Sequence, residues 1–246
     1  VNGDYISMFK KGVRPFDDLF PLLSGMNYVI GNLECLSSGN QGENPLKRPR
    51  LTTTYETLGY LNQINLSVAS LAQNHIYDHL EDGFEKTIDF LNKNSIAWLG
   101  AGKTQEEASK PIIIDESDII LGFLNYVTED TNTGLPIDAG VKLNIFNIPQ
   151  ALEDIKALKK HTDHVIVLLH WGGRVEGGMF PDFDQPKIAR QLIDVGADLI
   201  IGHHPHTFQP YEMYKGKHIF YSLGNFCFSD FVFENKSTFM PKRRRI

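Results

Sequence analysis

The stretch HVIVLLHWGG, residues 164–173, decides the fold. Val165 to Leu169 form an apolar, β-branched run too short for a buried helix, and it stops at His170-Trp171-Gly172-Gly173. A run of this kind reads as a strand covered on both faces, with polar groups delivered at its end. The same grammar recurs outward from it. Downstream, Asp184 to Val195 reads as a helix and Asp198 to Ile201 as a strand, followed by Gly202-His203-His204-Pro205-His206. Strands near Gln209 to Tyr214 and His218 to Ser222 come next, then Leu223-Gly224-Asn225-Phe226. Upstream, Pro149 to His161 is helical, and Pro111 to Ile114 with Asp118 to Leu124 reads as a hairpin turning at Glu116 and Ser117.

Toward the N-terminus, Tyr28 to Ile30 is a short strand stopping at Gly31-Asn32, and Leu66 to Leu71 is another, followed by Gln73-Asn74-His75. Glu81 to Lys93 is a helix with Phe84, Ile88 and Leu91 at helical spacing, and Ile96 to Leu99 is a strand. Arg14 to Leu23 reads as a helix entered through Pro15. Strands alternating with helices argue an α/β fold whose sheet is buried on both faces, with antiparallel additions late in the chain. No composition break marks a second domain, so residues 1–246 are expected to form a single domain or most of one.

Composition narrows the function. With 41% hydrophobic and 22% charged residues the 246-residue chain has the make-up of an ordinary globular protein. A net charge of −6 and no basic stripe interleaved with aromatics argue against nucleic acid as a partner. The run Lys242-Arg243-Arg244-Arg245 reads as a solvated tail. Cys35 and Cys227 suggest neither a disulfide framework nor a cysteine zinc site. No stretch is apolar for long enough to span a membrane as a helix.

Chemistry sits where strands end, because open α/β sheets bind ligands beyond the carboxyl ends of their strands. Four separate strands lead into such groups: Asn32 and Glu34; Asn74 and His75; His170; and His203, His204 and His206. One histidine after a strand is ordinarily a satisfied loop residue; five of the nine histidines placed this way argue for a site. Imidazole and carboxylate ligands suit zinc, iron or manganese. A His-Pro-His turn would let His204 and His206 point the same way from extended backbone, with Gly202 allowing a sharp bend into it. Asn carbonyls complete sites already rich in charge, which points to a dinuclear centre.

These residues carry a resemblance. GNLEC (31–35), SLAQNHIYDHLEDG (70–83), HWGG (170–173), VGADLIIGHHPHTFQPYE (195–212) and IFYSLGNFCFSD (219–230) are together similar to the CapA family of bacterial poly-γ-glutamate capsule synthesis proteins. That family resembles the calcineurin-like metallophosphoesterases in fold, which implies a layered α/β sandwich. The resemblance implies two divalent ions held by Glu34, Asn74, His170, His204 and His206. It implies that His75 protonates a leaving group and that Asp78 orients His75. Asn32, Trp171, Glu176, His203 and Asn225 would line the substrate cleft. For three of them a plainer reading stands beside that one: packing for Trp171, solvated surface for Glu176 and turn capping for Asn225.

One departure from the family pattern stands out. Its members open with an apolar strand ending in Gly-Asp, whereas only Val1-Asn2 precede Gly3-Asp4 here, so the first strand is expected upstream of this chain. An envelope location, with membrane anchoring through such an upstream segment, is implied by the resemblance alone. The implied reaction is metal-dependent hydrolysis of a phosphoester or of a γ-glutamyl or other envelope polymer, with anionic substrates and the capsule synthesis machinery as partners. The competing reading is an accessory factor that binds polymer without turning it over. Residues Thr128 to Leu143 read as a Gly- and Pro-punctuated loop with no assigned role.

Overall fold

A computed structural model describes residues 3–116, 118–228, 231–233 and 236–238. In chain order the elements are α1 (Gly3–Lys10), α2 (Phe20–Leu23), β1 (Val29–Asn32), α3 (Tyr60–Gln63), β2 (Leu66–Ser70), α4 (Leu80–Lys93), β3 (Ala97–Leu99), β4 (Ala101–Gly102) and α5 (Gln105–Ser109). They continue as β5 (Ile112–Glu116), β6 (Ile119–Val127), β7 (Lys142–Leu143), α6 (Ile148–Lys159), β8 (His164–His170), α7 (Gln185–Asp194), β9 (Leu199–His203), β10 (Tyr211–Tyr214), β11 (Lys217–Phe220), β12 (Phe231–Phe233) and β13 (Lys236–Thr238).

The strands form two main sheets, not the single one that the strand–helix alternation suggests. One is three-stranded and parallel, in the order β1-β2-β3; the other is six-stranded, in the order β10-β11-β9-β8-β6-β5. Within the larger sheet β6, β8, β9 and β11 run parallel, while β5 and β10 add antiparallel edges. Val68 and Leu99 from the small sheet pack against Phe123, Ile166 and Leu168 from the large one. Helix α4 covers the outer face of the small sheet through Phe84, Phe90 and Leu91. Helices α6 and α7 cover the large sheet through Ala151, Ile155, Ala189 and Leu192. The result is a helix–sheet–sheet–helix stack.

Strand β8 shows how sequence becomes placement. Val165, Val167 and Leu169 face the helices, while Ile166 and Leu168 face the other sheet. Period-two alternation then carries His170 onto the face between the sheets. Strand β9 repeats this, with Leu199 and Ile201 packed between the sheets, Ile200 against the helices, and His203 next in the inward series. Register pairs His170 with His203. Each buried aliphatic side chain here contributes about 1.5–3 kcal/mol.

Several expectations are corrected. Arg14 to Leu23 is not a continuous helix: turns lead into α2, which spans only Phe20–Leu23. Pro21 has no N–H for a bond to residue 17, and Leu19 and Phe20 are exposed, so no packed face supports a longer helix. Strand β1 extends through Gly31 and Asn32 rather than stopping before them. Glu116 belongs to β5, and Asp118 makes the turn with a positive φ of 67°. Ser117 and the Lys242–Arg245 run lie outside the described residues. Helix α1 was not anticipated; its Phe9 ring meets Tyr60 edge-on at 5.1 Å. Neither Cys35 nor Cys227 is joined in a disulfide among the described residues. No helix among the described residues is long and apolar enough to cross a membrane.

Candidate metal centre

Strands β1, β2, β8 and β9 all deliver their carboxyl ends to one rim, but they do so from two sheets that face each other. The polar ends therefore meet across the gap between the sheets instead of lying side by side. Ligand atoms of Glu34, His204 and His206 lie within 4.8 Å of one another. His206 Nε2 is 3.4 Å and His75 Nε2 4.0 Å from Glu34 Oε1. A second set adjoins the first through His204: its Nδ1 is 3.1 Å from His170 Nε2, which is 3.0 Å from Asn74 Oδ1.

The His-Pro-His turn works differently from its expected geometry. His204 and His206 have φ of +95° and +57°, so their imidazoles converge from left-handed rather than extended backbone. Such non-glycine residues cost about 1–3 kcal/mol each and persist where surrounding structure holds them. Here the Gly177 N–H donates to Pro205 O at 2.8 Å, and His206 Nδ1 lies 2.8 Å from Asn225 Oδ1. Gly202 is required for close approach, not for bending. A Cβ there would lie 2.0 Å from Tyr221 O and 2.5 Å from Trp171 Nε1.

Electrostatics match the donor set to a cation. Burial pulls the His170 imidazole well below its ordinary pKa, and neighbouring His204 adds to the effect. Burial likewise brings His203 and His204 down to about 4, against the pull of Glu34. These rings are neutral at pH 7, the form that binds metal. Burial would raise the Glu34 carboxyl, but the surrounding imidazoles, His206 foremost, outweigh it and hold it below its usual value. Glu34 Oε1 and His170 Nδ1 are nonetheless buried without a hydrogen bond. An ionised carboxylate oxygen and neutral imidazoles left in that state fit a divalent ion.

His75 is fixed by its neighbours. Its Nδ1 lies 2.6 Å from Asp78 Oδ2, which also accepts from the Leu51 N–H at 2.6 Å. Asn74 is held by its other end, Nδ2 donating to Thr131 O at 3.2 Å, so that Oδ1 faces His170. The acceptor Thr131 lies in the 128–143 loop that had no assigned role. Asn32, His203 and Asn225 line a cleft of about 380 Å³ beside the cluster, whose farther walls, including Phe16, Ile30 and Ile64, are apolar. Trp171 is not in that lining. It is fully buried on the helix side, stacked on Tyr221 at 6.1 Å, with Nε1 donating to Tyr221 O. The cause is its place after His170, which turns it to the opposite face. Glu176 is exposed and also outside the lining, though its charge reaches His204.

Two residues of this region escaped sequence reasoning. Asn125 accepts from the Ala72 N–H at 2.7 Å and donates to Leu168 O at 3.2 Å, tying the Asn74 turn to β8. A buried Asn inside an apolar strand was its only signal. Lys47, in the basic run Lys47-Arg48-Pro49-Arg50, is buried beneath the Asn74 turn. Burial brings its pKa down to about 8, opposed by the charges of Asp78, Glu34 and Glu176.

Comparison with known proteins agrees with this architecture. Residues 5–230 match the family described as "Bacterial capsule synthesis protein PGA_cap". The PGA biosynthesis protein CapA of Bacillus subtilis is 34% identical over 87% of this chain and 56% of its own length. The capsule biosynthesis protein CapA of Bacillus anthracis is 29% identical over 87% of this chain and 53% of its own. The chain thus spans about half the length of the curated relatives it matches. A Staphylococcus aureus protein assigned as a 5′-nucleotidase, solved with alpha-ketoglutarate, superposes with a TM-score of 0.50 at 14% identity. That superposition covers 67% of this chain and 33% of the other, and it supports the metallophosphoesterase-type fold alone. The chain belongs to the bacterial capsule synthesis protein family PGA_cap.

Proposed function

We propose that this chain carries the hydrolytic centre of a CapA-type capsule synthesis protein, holding two divalent ions and acting on a phosphoester or a γ-glutamyl envelope polymer. The observation that carries this reading is the convergence of Glu34, His204 and His206, with a carboxylate oxygen of Glu34 buried and without a hydrogen bond. Glu34, His204 and His206 would hold one ion, and Asn74 and His170 would help to hold the other. Bound there, manganese, iron or zinc supplies a Lewis acid and lowers the pKa of water.

The protein's own residues do the rest. Asp78 accepts a hydrogen bond from His75 Nδ1–H, so that in the doubly protonated ring Nε2–H faces the centre, gives its proton to the leaving group and leaves a neutral imidazole. The Leu51 N–H holds Asp78 in place for that task. The neutral rings of His203 and His204 add no positive charge of their own to the cluster. The apolar farther walls of the cleft offer nothing to carboxylates, which concentrates an anionic substrate at the cluster end.

The test is metal content by plasma mass spectrometry, paired with hydrolysis of bis(p-nitrophenyl) phosphate and of a γ-glutamyl oligomer. About two equivalents of metal and turnover of at least one substrate is the expected result, with His75→Ala impairing the γ-glutamyl oligomer, the poorer leaving group, far more than the nitrophenyl ester. Protein that stays metal-free when offered manganese, iron or zinc overturns the reading. The names of both Bacillus relatives describe biosynthesis, which favours one competitor, an accessory factor that binds polymer without turnover. Saturable polymer binding by metal-loaded protein with no hydrolysis of either substrate would put that competitor first.

A further inference from the structure

We propose that Lys47 is a positioning residue of this centre, its buried ammonium clamping the Asn74 turn to the 128–134 loop. The proposal rests on the metal-centre reading for its functional consequence and on geometry alone for the clamp.

Lys47 is only 4% exposed, and its Nζ donates to the backbone carbonyls of Asn74 and, at 3.1 Å, Asn132. Its neighbours on the same strand of chain make parallel ties. The Asn44 N–H donates to Asp78 O at 2.9 Å, and Asn44 Nδ2 donates to Gly134 O at 2.8 Å. The Leu51 N–H donates to Asp78 Oδ2 at 2.6 Å. Residues 44–51 therefore form a strap under the site, bonded on one side to Asn74 and Asp78 and on the other to Asn132 and Gly134.

What the strap fixes is the aim of one side chain. Asn74 Oδ1 faces His170 Nε2 because Nδ2 is engaged by Thr131 O. Thr131 lies in the loop whose neighbouring Asn132 carbonyl Lys47 holds. Release of Asn132 frees the loop, and with it the acceptor that keeps the Asn74 amide from turning over. A lysine suits this place because an ammonium offers three donors and no acceptor to a pair of carbonyls. The carboxylates of Asp78, Glu34 and Glu176 offset its charge. A shorter neutral donor would not reach both loops.

The test combines backbone hydrogen exchange on metal-free protein with Mn²⁺ titration followed by electron paramagnetic resonance. Lys47→Met should speed exchange about tenfold in residues 72–79 and 128–134, leave β8 protected, and weaken Mn²⁺ binding by about 10–100-fold. Lys47→Arg, which keeps charge and donors, should recover most of both. Unchanged exchange and unchanged Mn²⁺ affinity in Lys47→Met overturn the proposal, as does loosened exchange with wild-type Mn²⁺ binding. Wild-type protein that takes up no Mn²⁺ sinks the metal centre, and exchange then decides the clamp by itself. Should Lys47→Met fail to fold, Asn44→Ala cuts the tie to Gly134 without unpairing a buried charge. Faster exchange confined to the 128–134 loop is expected there, and wild-type exchange would overturn the strap.

Discussion

The two ends of the sheet stack each hold a largely covered carboxylate, and the contrast between them separates structure from site. At the amino end Asp198 is saturated: Oδ2 accepts from Lys159 Nζ at 2.7 Å and the Val165 N–H at 2.8 Å, and Oδ1 from Lys217 Nζ at 2.6 Å. Burial would raise its carboxyl, but these bonds outweigh that and hold it below its usual value. At the carboxyl end Glu34 is surrounded by imidazoles that are 3.4 Å or more away, and one of its oxygens accepts no hydrogen bond. Backbone strain gathers at the same end, in His204 and His206. A carboxylate with every oxygen matched holds a fold together. One left wanting, among imidazole nitrogens, marks a candidate site.

The comparison can be broken in several ways, and the largest effect belongs to chemistry. His75→Ala should lower turnover of a substrate with a poor leaving group by about 10²–10⁴-fold, with little loss for an activated nitrophenyl ester. Equal losses on both substrates would remove His75 from the role of general acid. Next comes metal uptake: His204→Ala and His206→Ala should each lose the ion they hold with Glu34 and retain the other. Plasma mass spectrometry counts the ions, and full stoichiometry in either variant would remove that ring from the ligand set.

Stability effects follow. Asp198→Asn should cost about 1.5–3 kcal/mol at neutral pH, as charge-assisted bonds are lost, measured by urea unfolding. Glu34→Asn in metal-free protein should cost nothing measurable, or stabilise, since its carboxylate is poorly paired. Similar losses for the two would erase the contrast. The pH dependence sharpens it. Because the folded carboxyl of Asp198 is depressed, its stabilisation is whole above the unfolded value of 3.8 and is lost as pH falls through the folded one. Asp198→Asn should lack that part of the acid limb. The smallest effect is expected at Phe183, 84% exposed: Phe183→Ser should shift stability by less than about 0.5 kcal/mol.

Much of the candidate site's membership is legible in the sequence, for a physical reason. Strand ends are marked by local sequence, as at His170 and His203, and parallel strands must deliver their carboxyl ends to one side. Trp171 shows the limit of that reasoning. Strand alternation carried one residue past β8 turns its ring to the helix side, although its neighbour His170 points into the site. Pro21 shows another limit: apolar spacing suggested a long helix where a missing N–H and exposed leucine and phenylalanine side chains left only one turn.

The amino-acid sequence by itself determined that strands alternate with helices, and which imidazole, amide and carboxylate groups follow the strands. These are consequences of residues close together in the chain, namely β-branched runs, glycines and periodicity. Only the tertiary structure decided that the strands divide between two sheets, so that Glu34 meets His204 and His206 across a gap. It also decided that Lys47 and Asn125 lie under the Asn74 turn. Those contacts join residues far apart in sequence, and they depend on how two apolar faces pack, which no local pattern encodes.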